Sequence, residues 1–377
     1  MRLTRTRRYM LLRSAAKHMV PHRFTEHGPL EDGPELEDAE HVLLAWPADA
    51  RKPFVGLVLD TDSYPYWTKY RRFLQANDIA FEIYDIHRSS WLREAQRFDM
   101  VVWRPMSYPH ELEECRRKFH ILEEELGILC YPSVAEVQLY EDKITQFELL
   151  RSHGLPVIDT FVSHSEDETM EYLAHCEYPL VWKLTAGSGS LGVELVRTRR
   201  TAQRWVRQVF SFAGRRTYWS YVSQKSYVYL QRFVPNAGYD LRVIVVGSTV
   251  FGYYRDVPKG EFRASGMHTE RHDPPSAEAI SLARRVAEVL DLPHVAVDML
   301  VDTTTKDLRI IEISSFPQVL PGEAFLHYGR EPGAGGSNGP DDVRARPVRL
   351  WPQELALKHV IETRWFARER RAGDELR

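Results

Sequence analysis

Apolar and polar positions alternate along this chain with two different periods, and the change of period divides it. From Pro53 to Tyr131, four short apolar runs (PFVGLVLD, AFEIYDI, DMVVWRP and ILCYP) are separated by stretches of helical period such as TKYRRFLQAN and HELEECRRKFHILEEELG. Strands alternating with helices predict parallel βαβ units and an open α/β sheet, with ligands beyond the carboxyl ends of its strands. Asp60, Asp62 and Tyr64 follow the first run and read as loop polars. Arg104, between the third run and Pro105, calls for an anionic partner. SVAE at Ser133–Glu136 has the spacing of a capping box and opens a helical region that ends at Gly154, with Asp142 and Lys143 inside it.

Beyond Gly154 short strands dominate. YPLVWKL and VELVRT flank TAGSGSLG and predict a hairpin with a long, glycine-rich tip. Small side chains leave backbone N–H groups of such a tip able to close over phosphate oxygens, and Lys183 projects a point charge just before it. This is not a Walker loop, since no Lys-Ser/Thr follows the glycines and no helix opens there. After the amphipathic helix TAQRWVRQVFSFAG come the strands SYVYLQRFVPN, DLRVIVVG and STVFGYYRDV, a loop with Phe262, Arg263 and Ser265, and the helix SAEAISLARRVAEVLDL. VAVDMLV and LRIIEIS then bracket DTTTKD as an antiparallel hairpin. A turn centred on Thr304 and Thr305 puts Asp298 opposite Glu312 and Ala296 opposite Ser314. Facing Cβ atoms in such a pair lie roughly 5 Å apart. Two carboxylates that close, set among Val, Met, Leu and Ile, repel unless a cation lies between them. Mg²⁺ suits, because it takes one or two carboxylates and completes its octahedron with water and phosphate oxygens; the alternative for the hairpin alone is an edge hairpin with two solvated acids.

Composition narrows the classes. At 377 residues, 43% hydrophobic and 27% charged, the chain suits a globular protein of two or three domains, and a net charge of -3 argues against commitment to nucleic acid. Met1–Arg23 carries seven Arg and Lys and no acid, whereas Glu31–Glu40 is mostly acidic. No stretch has the apolar core of a signal peptide or the length of a membrane span. Cys115, Cys130 and Cys176 lack metal spacing and read as small core residues of a reducing compartment, which points to a cytoplasmic protein. His268 and His272 read as solvated loop residues. The expected division is a flexible tail over 1–51, an α/β domain over 52–132, a two-lobed domain over 133–330, and a Gly-rich linker with a closing helix over 331–377.

The order of these pieces resembles the ATP-grasp enzymes: DK in a helix, PLVWK before a glycine loop, LQRFVP, DLRVIVVG, a strand ending in Arg, then VD and EIS on a terminal hairpin. The likeness spans roughly Pro53 to Pro317 and is strongest toward the branch of ribosomal-protein glutamate ligases and glutathione synthetases. It implies an α/β chain with an ATP-grasp fold behind an N-terminal pre-ATP-grasp domain. Lys143 and Lys183 would bind ATP phosphates under a flap containing Gly187, Ser188, Gly189, Ser190 and Gly192. Gln231, Arg232, Phe233 and Val234 would present their backbone to adenine, with Asp240 near the ribose or the second lysine. Arg242, Arg255 and Arg263 would face the transferring phosphoryl group or the substrate. Asp298 and Glu312 would carry Mg²⁺ (or Mn²⁺), and Ser314 stands where the family has an Asn ligand. Ser265 likewise replaces a family Asn.

The implied activity is ATP-dependent joining of a carboxylate to an amine through an acylphosphate. The alternatives are a small-molecule kinase on the same scaffold and a nucleotide-binding protein without turnover. Expected partners are small-molecule or peptide carboxylates and amines, with no nucleic acid and no membrane; self-association stays open.

Overall fold

The computed structural model describes residues 39–62, 64–187, 192–218, 222–264, 269–271, 273–317, 326–328, 345–347 and 350–375. Ser188, Gly189, Ser190, Ser265, His268, His272, the linker at 331–342 and the first 38 residues lie outside the described set.

Each of the four apolar runs of the N-terminal region forms a short strand: β1 (Val55–Leu57), β2 (Phe81–Ile83), β3 (Met100–Val102) and β4 (Leu129–Tyr131). They pair in parallel in the order β2-β1-β3-β4. Asp60 is more than a loop polar: its Oδ2 accepts the Tyr66 and Trp67 N–H groups, each at 2.9 Å, and starts helix α1 (Tyr66–Ala76). Arg104 finds its anion inside the protein, donating from Nη1 to Asp62 Oδ2 at 2.8 Å. Helix α2 (Pro109–His120) covers the other face and continues as a π-helical turn over Ile121–Glu125.

Ser133 and Glu136 form the expected capping box of α3 (Val134–Leu139). The helical region expected to run to Gly154 consists of two helices with a break between them. Glu141 adopts φ 58°, Asp142 becomes an N-cap, and α4 (Lys143–Ser152) starts afresh. The break places Lys143 at the first position of a helix rather than along its side.

Two further sheets follow. In the first, β5 (Thr160–Ser163), β6 (Leu180–Lys183), β7 (Val193–Val196) and β8 (Val228–Arg232) pair antiparallel in the order β5-β8-β6-β7. Leu180, Trp182, Val228 and Leu230 face α5 (Glu166–His175) and α6 (Arg199–Val209), building a core of their own with Leu173, Val206 and Val209. The second sheet joins β9 (Tyr239–Val246), β10 (Thr249–Asp256), β11 (His294–Val301) and β12 (Leu308–Ser315), with β9 central between β10 and β11. Val243, Val245, Val295 and Val297 on one face pack against α7 (Ala277–Val289).

The opposite face changes character along its length. At one end Ile244, Val246, Phe251 and Ala296 join the core of the N-terminal sheet; at the other stand Asp240, Arg255 and Asp298. The C-terminal segment completes the apolar end. Leu357, Val360, Ile361 and Trp365, from α8 (Pro352–Val360) and the turn after it, share this core with Tyr70 and Phe73 of α1. The tail expected through residue 51 is packed from residue 39 onward: Ala39 and Val42 are buried, and the Val42 N–H donates to Glu354 Oε2 at 3.3 Å. Apolar side chains on both segments account for that difference, since each hides the other from water.

Candidate functional site

The cleft lies between the two antiparallel sheets. It encloses about 820 Å³ of space open to solvent. Alternation along β6 aims Val181 and Lys183 into it while Leu180 and Trp182 face the other way, and Gln231 does the same on β8. Two walls result. One is apolar (Ile158, Val181, Leu300, Ile311) beside the backbone of Gln231–Val234; the other is charged (Lys143, Lys183, Arg255, Asp298, Glu312).

The terminal hairpin has the register expected of it. Asp298 pairs with Glu312 and Ala296 with Ser314. A bulge follows, because Met299 pairs with Ile310. The extra residue is Ile311, so that Ile311 and Glu312 both line the cleft. Ser314, two pairs beyond Glu312, is not among the lining residues.

Charge is arranged tightly here. Lys143 Nζ lies 3.5 Å from Glu312 Oε2 and donates to the Gly187 carbonyl at 2.9 Å. Burial disfavours its charge, but Glu312 and Glu141 outweigh that and raise its pKa. Lys183 is also buried and forms no ion pair with a described residue. Burial pushes it down to about 8, against the pull of Glu312. For Glu312 burial opposes ionisation, yet Lys143, Lys183, Arg255 and Arg242 hold its carboxyl well below the usual carboxylate range.

Asp298 Oδ2 takes Arg255 Nη2 at 3.1 Å and Arg242 Nη1 at 3.4 Å. Asp298 Oδ1 is buried with no hydrogen-bond partner among the described residues. Arg255 Nε donates to Asp240 at 2.6 Å, so Asp240 reaches an arginine rather than a lysine. Arg263 lines the cleft and pairs with Glu261 at 3.2 Å. Gly187, at the described base of the flap, lines the cleft as well, and Gly192 has φ 81°.

Some contributors escape a reading of sequence pattern. Glu141 Oε2 accepts the Gly187 N–H at 2.9 Å, and Asp142 Oδ1 accepts from Thr185 Oγ1 at 2.8 Å. Together with Lys143 they clasp the base of the flap from the helix break. The Arg232 side chain pairs with Asp159 at 3.3 Å and Asp302 at 3.5 Å, tying the two sheets together. Asp142 before an apolar run was a legible N-cap signal; nothing local marked Glu141 or Asp159.

A cleft between two antiparallel sheets, floored by a hairpin with facing carboxylates and backed by a parallel sheet, defines an ATP-grasp fold. Residues 140–324 match the RimK-like ATP-grasp domain. A probable alpha-L-glutamate ligase of Klebsiella pneumoniae is 28% identical over 183 residues, 47% of this chain and 56% of that protein. The ribosomal protein bS6--L-glutamate ligase of Escherichia coli is 28% identical over 184 residues, with the same two shares, 47% and 56%. The chain thus spans little more than half the length of these curated relatives. Among solved structures, the D-alanine--D-alanine ligase of Bacillus anthracis complexed with ATP aligns with TM-score 0.56 at 16% identity, covering 85% of this chain and 99% of that one. No described helix is long and apolar enough to cross a membrane.

Proposed function

We propose that the chain is an ATP-dependent carboxylate–amine ligase working with Mg²⁺. The observation that carries this is the convergence of Lys143, Lys183 and Arg255 on Asp298 and Glu312 at one end of an apolar-walled cleft. Lys183 is a buried cation with no ion-pair partner among the described residues, a costly arrangement unless an anionic ligand arrives. The flat apolar wall beside the Gln231–Val234 backbone suits a purine, and the charged end suits its phosphates.

Bound metal would neutralise phosphate charge and orient the oxygens for in-line transfer. Asp298 and Glu312 are the side chains to hold it: Asp298 Oδ1 is a buried acceptor left over after both arginines are served, and Glu312 faces it. Among the described residues no third His, Cys, Asp or Glu joins them. That matches an ion which takes few protein ligands and the rest from phosphate and water.

The reaction needs little covalent help from the protein. A substrate carboxylate oxygen attacks the γ-phosphorus of ATP, ADP leaves, and an acylphosphate forms. An amine nitrogen then attacks the acyl carbon, the amide bond forms, and phosphate departs as the nitrogen gives up a proton. Lys143, Lys183, Arg255 and Arg263 serve by holding phosphoryl oxygens where charge develops. Domain limits at 52–132 and 133–330 and a cytoplasmic setting belong to the same reading.

The test is to supply ATP, Mg²⁺ and pooled amino acids and identify products, with L-glutamate tried first because the relatives' names include it. ADP with a new amide supports ligation. ADP with a phosphate ester would mean a kinase, and tight ATP binding without ADP would mean a binding protein. Glu312→Gln should keep nucleotide binding and cut turnover at least about a hundredfold, on the order of 3 kcal/mol of transition-state stabilisation.

A further inference from the structure

The two helices on the outer face of the flap-bearing sheet carry opposite charge in matched stripes. On α5, Asp167 and Glu171 are exposed one turn apart; on α6, Arg200, Arg204 and Arg207 are exposed along one side. None of these five forms an ion pair with any described residue, although α5 and α6 pack side by side. Like charges spaced i,i+4 or i,i+3 on one helix repel, while Asp167 in the first turn of α5 and Arg207 in the last turn of α6 suit the helix dipole. The spacings agree: Asp167 to Glu171 and Arg200 to Arg204 both span four residues, about 6 Å of helix.

Just beyond α6 stands Phe212, 95% exposed, with Lys225 Nζ 4.9 Å from its ring centre. The face is therefore acidic on one helix, basic on the next, and apolar beside the basic one.

We propose that this outer face is an interface with a second copy of the same chain, related by a two-fold axis that sets α5 of each copy against α6 of the other. A two-fold interface requires a surface complementary to itself, which two adjacent stripes of opposite sign provide. A nucleic acid drawn to the arginines would meet Asp167 and Glu171 on the neighbouring helix, and the chain's net charge of -3 gives it no general attraction. Phe212 supplies the apolar anchor that charge alone lacks. The cleft opens on the opposite face of the same sheet, through Val181, Lys183 and Gln231, so pairing leaves it open.

Sedimentation of the full chain at about 0.02 M and about 0.5 M salt, where the screening length falls from roughly 20 Å to roughly 4 Å, should show a dimer that weakens at least about tenfold. Two variants decide the geometry. Arg200→Glu with Arg204→Glu makes both helices acidic, and Asp167→Arg with Glu171→Arg makes both basic. Each alone should be monomeric with unchanged circular dichroism, and an equimolar mixture should dimerise. Three results overturn the proposal: a wild-type chain that stays monomeric at low salt, a dimer indifferent to both variants, or a mixture that stays monomeric. Tight binding of a single-stranded oligouridylate that is lost in Arg200→Glu/Arg204→Glu, with the wild type monomeric, would assign the arginines to polyanions instead.

Discussion

Lys183 is a buried lysine in the cleft whose charge burial penalises. Its folded pKa is about 8, against 10.5 for the ordinary group, because burial penalises its charge. Between those two values the unfolded chain binds a proton that the folded protein lacks, so stability rises with pH across that window. The penalty is present in full below about pH 8 and is relieved toward 10.5. Replacing the ammonium removes the penalty. Lys183→Met should therefore stabilise the unliganded protein at neutral pH, on the order of 1–3 kcal/mol by thermal or denaturant unfolding, while weakening ATP binding. A bound polyphosphate acts in the opposite sense and pulls the pKa back up. At a pH slightly above 8, ATP binding to the wild type should take up a proton, seen as calorimetric heats that vary with buffer ionisation enthalpy. Lys183→Met should lose that variation. If the variant is less stable than wild type and takes up the same proton, the lysine is not the charge in question.

At the scale of elements, the break between α3 and α4 does the positioning. Asp142 accepts the Ile144 and Thr145 N–H groups, each at 3.2 Å, and holds Thr185 at the flap base. Asp142→Ala should lose about 1–2 kcal/mol of stability as a missing N-cap. It should also raise the ATP dissociation constant, because the flap base loses its tether. Asp142→Asn keeps a capping oxygen and should recover most of the stability, as equilibrium unfolding of the pair would show. Equal losses in both variants would exclude the cap as the cause.

The strands were legible for a reason: burial on one or both faces forces an apolar period, and Asp298 and Glu312 stand out because they interrupt it. Period alone could not show the break at Glu141, where the backbone is left-handed and the side chain accepts from Gly187, 46 residues away. The bulge at Ile311 was hidden likewise, since the register from the turn to Glu312 differs by one residue without altering the apolar pattern. The ion pairs of Arg232 join residues 70 or more apart in sequence, and no local signal carries them.

At the scale of the molecule, one core holds two of the three large sheets together and leaves the third out. Trp365 is fully buried with Tyr70, Phe73, Ile244 and Phe251, and its indole N–H donates to the Arg51 carbonyl at 2.9 Å. Glu354 and Arg72 reinforce the same junction by a buried ion pair at 2.5 Å. The flap-bearing sheet keeps a separate core around Trp182, Val206 and Leu230. The C-terminal segment, beyond the 140–324 match, is thus a structural strut between the N-terminal sheet and the carboxylate-bearing sheet. Trp365→Ala removes a large buried ring, for which the usual loss is about 3–5 kcal/mol. The loss should be confined by the cores. Amide exchange should quicken in β1, β3 and β9–β10 together, since their side chains share the cavity left behind, while β6 and β8 keep their protection. Uniform quickening that includes β6 and β8 would mean the flap sheet depends on the same core. Quickening of the N-terminal strands alone would mean the strut does not reach the second sheet.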